Sequence, residues 1–124
     1  AKQVAEKIKR DLKLDVTIVD ARFVKPIDIQ MLDFQLPMNK FRLVTMEDGC
    51  VQGGFGSAIA EEINLLKLDY PVKQLTLGIP DEFVTHGTVS NLCKELKLDS
   101  ETMFERVQHW LQEGMDPEWS YRLV

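Results

Sequence analysis

The residues most able to do chemistry in this chain are the run Gly53-Gly54-Phe55-Gly56-Ser57, which lies between an apolar β-branched stretch and a helical one. Where a glycine-rich turn opens a helix, unpaired backbone N–H groups and the positive end of the helix dipole can hold a phosphate. The spacing is not that of a phosphate-binding loop. It lacks the Lys-Ser/Thr ending, and Gly53, Gly54 and Gly56 do not form G-x-G-x-x-G. The competing reading gives the glycines a tight turn and close helix-to-sheet packing, with Ser57 near the cap. Gly53, Gly54, Gly56 and Ser57 are therefore a candidate anion-binding or packing turn.

A second group is charged. Asp20, Arg22, Lys25 and Asp28 follow one predicted strand, Glu47 and Asp48 leave the next, and Asp81 and His86 follow a third. Ligands of open α/β sheets bind outside the carboxyl ends of the strands, so these residues are candidates to line a crevice. Salt bridging, or contact with another domain, accounts for them more simply. His86 and His109 lack a second His or Cys at metal-ligand spacing, and no metal site is expected. His109 lies between Val107 and Leu111 and is expected at a surface or edge. Cys50 has no histidine nearby in sequence to activate it, and Ser57 does not sit in a G-x-S-x-G elbow.

The elements that must position these groups follow from periodicity. Val4, Ala5, Ile8 and Leu12 recur at helical spacing, predicting an amphipathic helix over residues 2–13. Val16-Thr17-Ile18-Val19-Asp20 reads as a strand buried on both faces of a parallel sheet. Asp28 can cap a short helix through Ile29, Met31, Leu32 and Leu36, which Pro37 is expected to end. Residues 41–47 predict a strand, residues 56–68 a helix with Ile59, Ile63 and Leu66 inward, and residues 72–77 another strand. A helix capped by Thr88 carries Val89, Leu92, Cys93 and Leu96; one starting at Asp99 or Ser100 carries Met103, Phe104, Val107 and Leu111. This order predicts a three-layer α/β/α sandwich around a mainly parallel sheet. Residues 1–113 form one domain in this reading, and residues 114–124 a tail whose Met115, Trp119, Tyr121 and Leu123 are expected to dock.

Composition sets the outer limits. At 124 residues, 44% hydrophobic and 28% charged, the chain suits one globular core without metal or disulfide staples. A net charge of −5 argues against nucleic acid or an anionic membrane as partner. Two cysteines, Cys50 and Cys93, suit a reducing cytoplasm, with their pairing left open. No stretch reads as a signal peptide or a bilayer span, and a soluble intracellular protein is expected.

Three segments together are more specific than any one alone: Val19-Asp20-Ala21-Arg22-Phe23-Val24-Lys25-Pro26-Ile27-Asp28, Thr45-Met46-Glu47-Asp48-Gly49-Cys50-Val51-Gln52-Gly53-Gly54-Phe55-Gly56-Ser57, and Leu77-Gly78-Ile79-Pro80-Asp81-Glu82-Phe83-Val84-Thr85-His86-Gly87. In this order they resemble the carboxy-terminal domain of the 1-deoxy-D-xylulose-5-phosphate synthases, transketolase-like enzymes, over residues 4–111. Transketolases and the β subunits of 2-oxoacid dehydrogenases share the fold and this type of turn. The Arg-Phe-Val-Lys-Pro and Pro-Asp-x-Phe…His-Gly runs favour the synthases.

The resemblance implies a parent enzyme that uses thiamine diphosphate and Mg2+ to condense pyruvate with glyceraldehyde 3-phosphate, releasing CO2, on the route to isoprenoids, thiamine and pyridoxal. In that family the diphosphate-metal motif lies in the first domain and the cofactor-activating glutamate in the second, so no catalytic, cofactor-binding or metal residue carries over to this chain. The implied role is structural: packing on the second domain and helping to hold a homodimer, with Asp20, Arg22, Lys25, Asp28, Glu47, Asp81 and His86 as interface or structural residues. The implied compartment is the cytoplasm, or a plastid for a plastid-type parent. Two departures stand out. The family's domain begins with a strand ahead of the first helix, so a vacancy in the sheet is expected here, and the aromatic tail runs past the usual end. A regulatory phosphate- or nucleotide-binding module, and an interaction module built on the Trp119 and Tyr121 tail, are the alternatives.

Overall fold

The computed structural model describes residues 1–113. The expected docking of the 114–124 tail lies outside them. Helix α1 (Lys2–Lys7) runs into a wider π-helical turn, Ile8–Leu12, and stops where Lys13 adopts a left-handed conformation at φ 56°. Helix α2 (Ile29–Met38) precedes strand β1 (Arg42–Cys50); helix α3 (Phe55–Leu65) and strand β2 (Lys73–Ile79) follow, then α4 (Val89–Glu95) and α5 (Ser100–Glu113).

The two strands pair in parallel, from Arg42 opposite Lys73 through Thr45 opposite Thr76 to Met46 opposite Leu77. Alternation along each strand then divides the side chains between two helical layers. Val44, Met46, Leu75 and Leu77 point to a core shared with Val4, Ile8, Phe104 and Val107, so α1 and α5 cover this face. The Lys7 ammonium pairs with Glu101 and lies 5.9 Å from the centre of the Phe104 ring, which ties the two helices at their solvent edge. Leu43 points the other way, into a second core of Leu32, Leu36 and Ile59 under α2 and α3. The chain thus forms an α/β domain with helices on both faces of a parallel sheet, as expected.

The caps match the sequence signals. The Asp28 carboxylate accepts from Met31 N at 2.9 Å and Thr88 Oγ1 from Asn91 N at 3.3 Å. Asp99 accepts from the amides of Glu101 and Thr102, both at 3.1 Å, and from the Thr102 hydroxyl at 2.7 Å.

Two expectations fail for identifiable reasons. Pro37 does not end α2; it sits in the last turn, and the helix continues to Met38. Proline removes only its own amide from the ladder, while Asn39 N still reaches Gln35 O at 3.0 Å. The helix stops instead at Lys40 and Phe41, both at φ 56°. The segment 16–20 is not a strand and is not buried: Val16, Ile18 and Val19 are 44%, 49% and 43% exposed. β-branched residues make a strand only when another strand supplies a hydrogen-bonding edge, and β2 occupies one edge of β1 without any third strand among the described residues.

Candidate functional site

The parallel ladder becomes irregular at the end of β1. From Met46 to Cys50 the chain advances four residues while its partner advances two, from Leu77 to Ile79. The extra residues form a bulge next to Glu47, whose side chain lies on the α3 face of the sheet with Thr45. That carboxylate reaches the start of α3, where Oε2 accepts from Phe55 N at 2.7 Å and Oε1 from Gly56 N at 3.0 Å. A helix start leaves such amides without intrahelical partners and attracts negative charge, and Glu47 supplies both the acceptor and the charge. The neighbouring Gly53 N donates to Ser57 Oγ at 3.1 Å, and Ser57 Oγ donates to Val51 O at 2.8 Å. The turn is closed by its own side chains.

Glycine is required here for room. A Cβ on Gly54 would strike the Glu47 carboxylate and the Cys50 carbonyl, and one on Gly78 would lie 2.8 Å from Glu47 Cγ. Gly53 is different: its surroundings are open, but its φ of +70° favours glycine. Gly56 is buried and brings α3 onto the sheet over Thr45 and Thr76.

Beneath Gly56 lies a polar patch that the strand patterns do not announce. Thr45 is only 3% exposed, and its hydroxyl donates to Thr76 Oγ1 at 3.2 Å. Gln74 Nε2 donates to Gly56 O at 2.8 Å and lies 3.2 Å from Thr76 Oγ1. No buried side-chain nitrogen or oxygen among the described residues lacks a partner. Thr45, Gln74 and Thr76 escaped the sequence reading because each is an ordinary strand residue. The available signal was that Thr45, Glu47, Gln74, Thr76 and Gly78 all fall on one face by alternation.

The remaining candidates do not converge on Glu47. Arg22 Nε lies 3.6 Å from Asp20 Oδ2 with both side chains exposed, a weak surface pair. Lys25 precedes Pro26 through a cis peptide bond, and Asp28 is spent on the α2 cap. Asp48 is exposed near the end of β1, and Asp81 and His86 are exposed in the loop after β2. His109 is exposed, with Nε2 3.0 Å from Glu113 Oε1. Cys50 and Cys93 are both free thiols. Among the described residues no group of three or more His, Cys, Asp or Glu is arranged to hold a metal, and no helix is long and apolar enough to cross a membrane.

The segment before α2 and the loop after β2 are apolar as well as charged. Phe23 and Val24 are 67% and 55% exposed, and Phe83 is fully exposed. Val19, Ala21, Phe23, Met31, Phe55 and Ile59 line a cleft of about 60 Å³ that joins the 20–28 loop to the start of α3.

The family model for "Transketolase, C-terminal domain" matches residues 1–103. The chain is 42% identical over 108 residues to a 1-deoxy-D-xylulose-5-phosphate synthase of Histophilus somni (strain 2336), covering 87% of this chain and 17% of that protein. Synthases of the same name from Buchnera aphidicola subsp. Acyrthosiphon pisum (strain Tuc7) and Methylibium petroleiphilum are 43% and 46% identical over 101 and 88 residues, or 82% and 71% of this chain and 16% and 14% of theirs. The chain spans about a sixth of the length of these relatives.

Proposed function

The chain belongs to the transketolase C-terminal domain family, and from that premise we propose that it is the assembly domain of a 1-deoxy-D-xylulose-5-phosphate synthase whose chemistry is done by other domains. The parent condenses pyruvate with glyceraldehyde 3-phosphate, releases CO2 and feeds isoprenoid and thiamine synthesis. In this reading it is a cytoplasmic homodimer that binds thiamine diphosphate and Mg2+ outside this chain. Residues 1–113 constitute the domain proper, and residues 114–124 its tail.

The observation that carries the proposal is the fully exposed Phe83, beside the exposed Val84 in the loop after β2, together with the exposed Phe23 and Val24 in the segment before α2. Adjacent large apolar side chains left exposed in this way suit a surface that is covered in the assembled protein. The identity to the synthases supports the choice of parent. Asp20, Arg22, Lys25, Asp28, Glu47, Asp81 and His86 then serve as rim or structural groups, not as catalysts.

Among the described residues none fit the cofactor itself. A diphosphate-bound magnesium needs oxygen ligands converging on it, and free donors suit the diphosphate. Glu47, the carboxylate at the turn, already accepts the amides of Phe55 and Gly56. No step of the reaction is therefore routed through this chain.

Two measurements test the proposal. Titration of thiamine diphosphate with Mg2+ into the 124-residue chain is expected to give no saturable heat; tight, magnesium-dependent binding overturns it. In the full-length synthase carrying this domain, Phe83→Ser is expected to weaken domain or subunit association by tenfold or more, the loss of a buried aromatic anchor. Unchanged association argues that this surface is not the contact.

A further inference from the structure

β2 bonds to one side of β1, and among the described residues no strand bonds to the other side. Alternate residues of the stretch 43–46 therefore turn their N–H and C=O away from β2, toward an open edge. Residues 16–19 have strand composition and lack a partner of their own. Val16, Ile18 and Val19 stay about half exposed, and no main-chain hydrogen bond of the loops involves residues 16–19. The two features lie on the same side of the molecule. α1 and α5 cover one face of the sheet and α2 and α3 the other, so the chain between α1 and α2 has to pass an edge. It passes on the β1 side. Val19, Ala21 and Phe23 meet Met31 of α2 and Phe55 of α3 at the cleft, and Leu43 of β1 joins the core of Leu32 and Leu36 from α2. β2 instead presents Gln74 and Thr76 to the start of α3. Six of the fourteen large apolar residues left exposed among the described residues fall between Leu14 and Val24, so this passing segment carries apolar surface that a partner would cover.

We infer that two copies of this chain pair by strand exchange: residues 16–20 of each add to the open edge of β1 in the other. This pairing is a property of the chain itself and does not depend on the parent enzyme. An open edge takes up an extended segment through main-chain hydrogen bonds, and the alternating side chains decide which segment fits. Val16 and Ile18 fall on one side of an extended segment and Thr17 and Val19 on the other, and none is charged. A parallel sheet covered by helices on both faces accepts a strand of that kind. Each copy holds one edge and one strand, so a two-fold pairing satisfies both at once and leaves neither for a third chain. Two β1 edges facing each other across the axis bring each segment within reach of the other chain.

The test is the molar mass of the full 124-residue chain by light scattering over a concentration series, with isotope-filtered contacts read on a mixture of differently labelled copies. The mass is expected to double as concentration rises, with interchain contacts between residues 16–19 and 43–46. The amides of residues 16–20 should exchange about tenfold more slowly in the dimer than in dilute solution, as expected for hydrogen bonds gained. A chain that stays monomeric at every concentration overturns the inference, and so does a dimer whose 16–20 amides exchange at the dilute rate. Thr17→Pro together with Ile18→Pro removes the amide facing β1 whichever way the strand sits, and is expected to hold the mass at that of the monomer. If that variant does not fold, Ile18→Lys replaces it, since an edge lysine blocks pairing. A dimer that survives the folded variant, or that Phe83→Ser abolishes instead, would show that another surface joins the copies and would refute strand exchange.

Discussion

Substituting Gly56 with alanine tests the contact that sets α3 on the sheet. The added Cβ would meet Thr76 Cγ2 and lie 2.8 Å from both Thr45 Oγ1 and Thr76 Oγ1. Ordinary contacts of this kind need about 3.5 Å or more, so the helix start must move out by roughly 1 Å to clear the Thr76 methyl, or the threonines must rotate. Rotation breaks the Thr45 to Thr76 hydrogen bond, and translation stretches the 2.8 Å bond from Gln74 Nε2 to Gly56 O. Overpacking of this sort costs about 1–3 kcal/mol and one neutral hydrogen bond about 1 kcal/mol, against a gain of up to about 1 kcal/mol from replacing a helical glycine. The net expectation is a loss of about 2 kcal/mol, or roughly 8 °C in thermal midpoint for a chain of this size. Urea unfolding followed by far-ultraviolet circular dichroism measures it, with the m-value held constant as the condition for interpreting the shift. Adding Thr76→Ser removes the nearest methyl, so the double variant should recover part of the loss. A Gly56→Ala change within 0.5 kcal/mol of neutral, or a double variant that is simply additive, would refute close approach as the reason for this glycine.

Three further outcomes follow from other parts of the structure. Gly53→Ala, with open space around the Cβ but φ at +70°, should cost about 1 kcal/mol, and Gly53→Asn less; a larger loss for asparagine than for alanine would contradict the conformational account. Leu77, 1% exposed between α1 and α5, should lose about 2–5 kcal/mol on truncation to alanine, read from the same urea curves. The Thr102 hydroxyl, aided by the Thr102 amide, lowers the Asp99 pKa below the usual carboxylate range. A depressed folded-state pKa contributes stability above the unfolded pKa, and that contribution disappears as pH falls through the folded value. Carboxyl-carbon shifts should accordingly give Asp99 a lower midpoint than an unpaired aspartate, and Thr102→Val should move it back up; an unmoved midpoint in that variant would show that the hydroxyl is not the main cause.

Much of this architecture was legible from local chemistry. Asp28, Thr88 and Asp99 announce their helices because an N-cap needs only a side-chain oxygen and a nearby amide. The apolar spacing of Val4 with Ile8, and of Phe104 with Val107, marks the faces that meet on Leu77. The glycine run was rightly placed between a strand and a helix, and the choice between anion cradle and packing turn stayed open.

What the tertiary structure decided are matters of pairing. Residues 16–20 have strand composition and no strand structure, because a ladder partner is a property of the surroundings and not of the segment. Pro37 looks like a helix end and is not one, since the hydrogen bonds beyond it survive. Thr45 and Thr76 stand 31 residues apart, and only the parallel register brings their hydroxyls together beneath Gly56. Glu47 could be read as a charge at the end of a strand. Its partners, the amides of Phe55 and Gly56, could not, because a bulge and a turn have to fold before the carboxylate meets them. Local sequence determined where the helices start and which faces are apolar; the glycine turn received its occupant only when the sheet register and the start of α3 were fixed together.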